Sequence, residues 1–148
     1  MNRFIKSFES LTTMELYKLL RIRNEVFIVE QNCPYQDLDE KDFKAMHLWY
    51  EDANGNVVAY CRLLPKGISY NEPSIGRVLT AINNRKDGYG RTMMQYVISY
   101  ISHEWRTSSI RISAQSYLKV FYESLGFVQI GEEYMEDDIP HIEMLLVG

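Results

Sequence analysis

The sequence predicts a single α+β domain in which helices pack against a central β-sheet. Three observations lead to this prediction. Runs with β-strand character are interspersed with helical apolar patterns along all 148 residues, a length typical of one domain. Hydrophobic residues make up 46% of the chain, which is enough for one sizeable core. No repeat, low-complexity tract or linker divides the sequence, so we expect one domain spanning residues 1–148.

A capped helix is predicted close to the amino terminus. Three apolar residues before it indicate a short first strand: Phe4, Ile5 and Phe8. Thr12 and Glu15 form a candidate capping box, in which each side chain bonds the backbone of the other residue. An apolar stripe at helical spacing continues from there to Phe27, so the helix is expected to begin directly after Thr12.

A β-hairpin is predicted after an acidic loop. The loop covers residues 32–44 and is expected to be solvated, although its carboxylates would also attract a cationic amine. Residues 47–51 and 57–64 then have strand character, and the Asp-Ala-Asn-Gly-Asn segment between them supplies the chemistry of a hairpin turn.

The second half predicts a strand, a long helix and further strands. Residues 75–80 are rich in β-forming residues, and a polar, glycine-containing segment over 83–90 follows them. Apolar residues at i, i+3, i+4, i+7 and i+11 mark the long helix: Met94, Val97, Ile98, Ile101 and Trp105. The remaining elements are a strand, a short helix that Gly126 terminates and two closing strands, over residues 110–114, 117–125, 127–130 and 141–147.

Charge and cysteine content argue against several classes of function. The formal net charge of -4 and the pI near 5.4 disfavour nucleic acid and anionic membranes as partners. Two cysteines and three histidines without a CxxC pattern predict no metal site. The sequence has neither a signal-peptide pattern nor an apolar stretch of membrane-spanning length, so we expect a cytoplasmic protein.

The glycine-containing segment before the long helix predicts a pyrophosphate cradle. Gly88 and Gly90 would let the backbone turn sharply, and the following helix directs its free N–H groups to the same place. Three side chains add positive charge: Arg85, Lys86 and Arg91. Asp87 is expected to point outward. The Gly-Lys-Ser/Thr of a Walker A loop and the third glycine of a Rossmann fingerprint are both absent. An ordinary glycine-rich turn is the alternative interpretation.

Three segments together resemble the GNAT N-acetyltransferases. Arg-x-x-Gly-x-Gly at residues 85–90 resembles their coenzyme A loop, and Phe-Tyr-x-x-x-Gly-Phe at 121–127 is similar to the segment after their fifth strand. The run over residues 23–39, which contains Val-Glu-Gln-Asn-Cys-Pro-Tyr, is similar to the ElaA-like subgroup of that superfamily. The likeness covers nearly the whole chain, from about Leu16 to the end.

The resemblance implies the GNAT acyl-CoA N-acyltransferase fold, with a mixed central sheet flanked by helices, and acetyl-CoA as co-substrate without a metal. It implies that Tyr122 acts as the general acid for the leaving thiolate, while packing against the pantetheine arm is the alternative role. It places the coenzyme A contacts on the fourth strand and the loop that follows: Val78, Leu79, Thr80, Arg85, Lys86, Asp87, Gly88, Tyr89, Gly90 and Arg91.

The acceptor is expected to be an unidentified amine on a small molecule or a peptide. The candidate acceptor residues are polar and belong to segments that the resemblance places near the reaction centre: Glu30, Gln31, His47, Arg77, His141 and Glu143. For each histidine, the alternative is a structural role. For Glu30 and Gln31, the alternative is a buried polar cluster that anchors the acidic loop.

Two rival functions remain open. An acyltransferase similar to the acyl-homoserine-lactone synthases is indicated by Arg-Asn-Glu-Val-Phe at 23–27, but those proteins carry a tryptophan soon after, and here the nearest is Trp49. The other rival is a non-catalytic module that binds coenzyme A. No nucleic acid or membrane is expected as a partner, and a homodimer is compatible with the sequence.

Overall fold

The computed structural model describes all residues from Met1 to Gly148. Strands and α-helices follow the predicted order, which is confirmed: β1 (Asn2–Ser7), α1 (Thr13–Arg23), β2 (Met46–Glu51), β3 (Val57–Leu64), β4 (Ser74–Thr80), α2 (Tyr89–Glu104), β5 (Ile110–Gln115), α3 (Lys119–Glu123), β6 (Val128–Glu136) and β7 (Ile139–Leu146).

The last hairpin is longer than the sequence predicts. β6 continues to Glu136 instead of ending at Ile130, and β7 begins at Ile139. Asp137 and Asp138 between them both have positive φ, 51° and 62°, as a tight two-residue hairpin turn requires. The apolar pattern underestimated β6 because most of its side chains are partly or fully exposed.

The first helix begins as predicted and ends unexpectedly. The capping box is confirmed: Glu15 N donates to Thr12 Oγ1 at 3.1 Å and Thr12 N donates to Glu15 Oε1 at 2.8 Å. Beyond Arg23 the chain continues as a π-helical turn over Asn24–Glu30, a local widening that is frequent at functional sites. No helix of the protein is long and apolar enough to cross a membrane.

The strands form two antiparallel sheets that meet at one edge. Their orders are β1-β2-β3-β4 and β5-β7-β6. The Arg111 amide donates to the Pro73 carbonyl oxygen at 3.0 Å, which joins the sheets where β4 and β5 begin. No ladder joins these two strands, so their carboxyl ends, Thr80 and Gln115, are left unpaired with each other.

Helices cover the two faces of the first sheet. α2 packs Met93, Met94, Val97 and Ile101 into an 18-residue core that includes side chains of both sheets. α1 packs on the opposite face in a second cluster, with Leu19 beside Trp49 and Tyr60. β3 lies between the helices and is buried along its whole length.

The second sheet keeps one polar face. Ile110, Ile112 and Ala114 of β5 belong to the α2 core. Because side chains alternate along a strand, Arg111 and Ser113 point to the opposite face, where they are only partly buried. A polar surface therefore lies beside α1, next to the junction of the two sheets.

Candidate active site

The predicted cradle lies between the end of β4 and the first turn of α2. Gly88 is the residue before the helix and has φ +78°, a conformation that L side chains rarely adopt. A Cβ atom built on Gly88 would meet nothing within 4 Å, so the space in front of the helix is open. A Cβ on Gly90 would make ordinary contacts with Thr80 and Phe121. The free N–H groups of a 16-residue helix thus border an open space that an anion can occupy.

The positive side chains of the cradle have different surroundings. Arg85 Nε donates to the Thr80 carbonyl oxygen at 3.1 Å, and its Nη1 forms an ion pair with Glu30. Arg91 Nη2 donates to Ser124 Oγ at 2.6 Å. Lys86 and Asp87 are exposed. The structure therefore brings a predicted cofactor residue, Arg85, into contact with a predicted acceptor residue, Glu30.

Tyr122 lies in the main core directly behind this loop. The residue is 5% exposed, and its ring packs edge-on against Phe121 and Phe127, with centroids 5.2 and 5.9 Å away. Burial, and then the neighbouring Cys61 and Tyr117, raise the pKa of its hydroxyl well above the usual range. The hydroxyl makes no hydrogen bond to another group of the protein and is not among the fully buried unpaired polar atoms.

The predicted thioester edge on β4 is irregular. Gly76 pairs with Arg62 and Leu79 pairs with Tyr60, so two residues of β4 stand opposite Cys61 alone. These two residues, Arg77 and Val78, form a β-bulge. Val78 and Thr80 are partly exposed and Leu79 is buried. The bulge thus includes the first residue of the Val78–Thr80 stretch and lies on the side of β4 that borders β5.

The segment after the π-helical turn crosses from one sheet to the other. The side chains of Gln31 and Gln115 form a hydrogen bond of 3.5 Å. The Cys33 thiol donates to the Asp137 carbonyl oxygen at 3.2 Å. Gln31 thereby lies at the carboxyl end of β5, where the two sheets are not paired.

The polar face of the second sheet places Glu143 and His141 together. Arg111 donates to Glu143 at 2.7 Å and to Glu72 at 3.0 Å. His141 Nδ1 donates to the Ile139 carbonyl oxygen at 2.7 Å, and its Nε2 lies 3.3 Å from a Glu136 carboxylate oxygen.

A cavity of about 350 Å³ adjoins this polar face; its lining residues are Gly67, Ser69, Tyr70, Asn71, Glu72 and Arg111. Burial raises the pKa of Tyr70 to about 12, and the nearby Tyr134, Glu143 and Glu136 add to the shift.

The structure favours the structural alternative for His47. The side chain is 1% exposed, and both ring nitrogens are satisfied inside the protein. Nε2 donates to the Asp42 carbonyl oxygen at 3.0 Å, so Nδ1 accepts from the Tyr60 hydroxyl at 2.8 Å. Burial lowers the pKa of His47, which keeps the ring neutral. His47 is placed to support the core and not to contact a substrate.

The acidic loop also differs from the prediction. Asp37 and Asp42 are 8% and 5% exposed, because arginines from α1, β3 and β4 surround them. Arg77, a candidate acceptor residue, is one of these arginines and pairs with Asp37 at 2.6 Å. The carboxylates of Asp37 and Asp42 therefore belong to a buried polar cluster, while most other residues of the loop are exposed.

Comparison with known proteins decides the family. Residues 14–147 match the family model described as an acetyltransferase (GNAT) domain. The chain belongs to the GNAT acetyltransferase family. The ElaA-like resemblance and the GNAT fold predicted from the sequence are thereby confirmed, and the chain is an acyltransferase by family.

Several relatives resemble this GNAT chain over nearly its full length. A UPF0039 protein from Schizosaccharomyces pombe is 42% identical over 142 residues, which are 95% of this chain and 93% of that protein. Protein ElaA from Escherichia coli is 38% identical over 138 residues, 90% of this chain and 88% of that protein. An acyl-CoA N-acyltransferase from Pseudomonas aeruginosa superposes with a TM-score of 0.93 at 38% identity, covering 99% of this chain and all of that one.

Sequence reasoning missed some side chains of this GNAT site. Ser113, Gln115 and Tyr134 lie on the polar face, where the Ser113 and Tyr134 hydroxyls bond each other. The alternation of buried and partly exposed residues along β5 was the available signal for the first two. No group of three or more His, Cys, Asp or Glu side chains is arranged to hold a metal ion.

Proposed function

We propose that this GNAT protein moves the acetyl group of acetyl-CoA directly to an amine. The observation that carries the proposal is the free hydroxyl of Tyr122, protonated at neutral pH, in the Phe-Tyr-x-x-x-Gly-Phe segment behind an open cradle. The amine nitrogen forms a bond to the thioester carbon and the carbon–sulfur bond breaks. The thiolate takes its proton from Tyr122, and the amine loses one to a base or to water.

Coenzyme A fits the residues that surround the cradle. The open space at Gly88 and the amino terminus of α2 suit a pyrophosphate, and exposed Lys86 is free to reach it. A solved aminoglycoside 6'-N-acetyltransferase complexed with coenzyme A shares the fold, with a TM-score of 0.68 at 15% identity. We propose that Arg85 and Arg91 order the loop by their hydrogen bonds to Thr80 and Ser124, and that Lys86 pairs with the phosphates.

The backbone of Val78, Leu79 and Thr80 is the proposed thioester contact. A backbone N–H there would stabilise the negative charge that develops on the carbonyl oxygen. The bulge at Arg77 and Val78 interrupts regular pairing with β3, and β5 forms no ladder with β4, so this stretch has room for a ligand.

The amine is proposed to approach over the polar face of the second sheet. Glu143 and Glu136 supply negative charge there, and Gln31 lies at the boundary between the sheets. His141 is 7% exposed, its Nδ1 donates to the Ile139 carbonyl oxygen, and its Nε2 lies 3.3 Å from a Glu136 carboxylate oxygen, so we propose that it fixes the β6–β7 turn. The acceptor class that this surface suits is a small-molecule or peptide amine with positive charge.

The test is a binding titration followed by an acceptor screen. We expect acetyl-CoA to bind in isothermal calorimetry and free thiol to appear when amines are added. A chain that does not bind acetyl-CoA would overturn the proposal. Binding without thiol release over a broad amine panel would favour the non-catalytic module.

The acyl-homoserine-lactone-synthase-like activity is disfavoured because Trp49 is 1% exposed and packed in the α1 core. A cytoplasmic location and a homodimer stay predictions.

A further inference from the structure

Three arginines and three aspartates form a closed circuit of ion pairs beside β4. We call it the Arg–Asp ring, and its members in order are Arg23, Asp37, Arg77, Asp39, Arg62 and Asp42. Every carboxylate contacts two guanidinium groups and every guanidinium contacts two carboxylates, with N–O distances from 2.6 to 3.5 Å. The formal charges cancel within the ring.

The ring joins the acidic loop to three elements of the fold. Arg23 ends α1, Arg62 lies on β3 and Arg77 lies on β4, while all three aspartates belong to the loop. The side chains of Arg23 and Arg62 are 1% and 3% exposed, and that of Arg77 is 21% exposed. Charged pairs removed from water fix geometry strongly, because a partner that moves away leaves a buried charge unpaired.

Arg77 connects the ring to the bulge of β4. Its φ is +48°, which is uncommon for a residue other than glycine and costs energy within a strand. Its Nε donates to Asp37 Oδ1 at 2.6 Å, and its Nη2 donates to the Asp37 carbonyl oxygen at 2.9 Å. Two charge-assisted bonds to one residue hold the guanidinium in place and offset the backbone strain.

We infer that Arg77 is a positioning residue for acyl transfer. Its ion pairs with Asp37 and Asp39 hold the β4 bulge, and the bulge sets the backbone of Val78–Thr80 in the geometry that binds the thioester. The inference rests on the proposed function. It replaces the role of acceptor contact that the sequence predicts for Arg77.

The position of the bulge explains why this ion pair affects chemistry and not only folding. Val78, Leu79 and Thr80 follow Arg77 directly, so a change in its φ and ψ angles rotates their peptide groups. Catalytic donors lose much of their effect when they are misplaced by about 1 Å. The cradle at Gly88 lies eight residues beyond Thr80 and does not contact the ring. Coenzyme A binding therefore has a separate structural support.

Two substitutions of Arg77 separate its charge from its backbone conformation. Arg77→Gly removes the guanidinium, while glycine adopts positive φ readily. Arg77→Lys keeps a positive charge but loses the planar fork. Arg106→Gly is the matched control, because Arg106 also has positive φ, 55°, is exposed and has no ion pair in the structure.

The first readout is amide hydrogen exchange of the protein without ligand. We expect exchange at Val78–Thr80 to accelerate about 10-fold or more in Arg77→Gly, with other β-strand amides unchanged. Arg106→Gly should exchange like the wild type there. Wild-type exchange at Val78–Thr80 in Arg77→Gly, or an equal acceleration throughout the molecule, would overturn the inference.

The second readout is steady-state kinetics beside coenzyme A affinity. We expect kcat to fall about 10-fold or more in Arg77→Gly and to recover partly in Arg77→Lys, while Kd for coenzyme A stays within about 3-fold. An unchanged kcat, measured well below the Tm of the variant, would overturn the inference. Should the wild type transfer acetyl to no amine, the proposed function fails, and the exchange experiment still decides whether Arg77 positions β4.

Discussion

Tyr122 combines deep burial with a hydroxyl that the protein leaves unbonded. Burial raises its pKa, so the group carries its proton throughout the neutral range, as an acid for a thiolate must. We expect its ring to pack in the same way as phenylalanine, because it packs edge-on against the rings of Phe121 and Phe127. Chemistry and packing at this residue can therefore be separated by removing one oxygen atom.

We expect Tyr122→Phe to lower kcat by roughly 10-fold or more with little change in Kd for acetyl-CoA or in Tm. The matched control is Tyr117→Phe, which removes a hydroxyl from a neighbouring side chain that is 75% exposed. Steady-state rates and calorimetric affinities provide the measurement. A normal kcat in Tyr122→Phe, under conditions where chemistry limits turnover, would assign Tyr122 to packing alone.

Glu30 occupies a different position from the one expected for a free acceptor carboxylate. It pairs with Arg85, which also bonds the end of β4, so Glu30 links the π-helical turn to the coenzyme A loop. Both side chains are substantially exposed, and an ion pair of this kind contributes about 1 kcal/mol or less to stability. Substitution is therefore expected to act on function more than on folding.

For Glu30→Gln we expect KM for the amine to rise more than kcat falls, because a charge contact held in ground and transition states is uniform binding. The measurement is steady-state kinetics with an acceptor found by the screen. Comparing Glu30→Gln, Arg85→Gln and the double variant gives the energetic coupling between Glu30 and Arg85. A change confined to KM for acetyl-CoA would show that Glu30 acts by anchoring the loop.

At the scale of elements, the acidic loop is ordered by the Arg–Asp ring. Burial by itself would raise the pKa of Asp39, but hydrogen bonds and charge from Arg62, and then Arg77, lower it to about 2. Burial would also raise the pKa of Asp42, but hydrogen bonds and charge from Arg23 and Arg62 lower it. A carboxyl group whose pKa is lower in the folded state stabilises the fold above its unfolded pKa, near 4, and loses this effect as the pH falls toward 2.

Acid should therefore destabilise the protein through this loop. We expect the free energy of unfolding, measured with denaturant at pH 5, 4 and 3, to fall across this range. Asp39→Asn should weaken that pH dependence, since it removes one titrating group. Asp138→Asn is the control, because Asp138 is exposed and asparagine tolerates its positive φ. Equal pH slopes in all three proteins would contradict a role for Asp39.

For the whole molecule, the two sheets share one core although no ladder joins them. The 18 residues of that core come from α2, from strands of both sheets, and from Tyr122 of α3 and Phe127 just before β6, so we expect a single cooperative unfolding transition. A ligand that lies between β4 and β5 would contact both sheets and stabilise the entire domain.

Acetyl-CoA at about 100 times its Kd should add about 2.7 kcal/mol to the free energy of unfolding. For a domain of this size that corresponds to a rise in Tm of roughly 5 to 11 °C. Differential scanning calorimetry with and without the ligand is the measurement. Two separate transitions, with only one shifted by acetyl-CoA, would contradict a shared core.

Local patterns in the sequence were enough to predict the order of the strands and α-helices and the family resemblance. The Thr12–Glu15 capping box, the apolar stripe of α2 and the Phe-Tyr-x-x-x-Gly-Phe segment all lie within a few consecutive residues. Such signals are readable because a helix repeats every 3.6 residues and a strand every two, so neighbours along the chain are also neighbours in space. The turn at Gly88 and the helix that follows it were predictable for the same reason, since both are local to the chain.

Tertiary structure alone decided which distant residues meet. Glu30 and Arg85 are far apart in sequence, as are Asp37 and Arg77, and no local pattern pairs one charge with another. The aspartates of the acidic loop were expected to be solvated, because charged residues usually lie at the surface. Asp37 and Asp42 are buried because arginines from α1, β3 and β4 pair with them. The path of the chain, and not its local composition, brings those partners together.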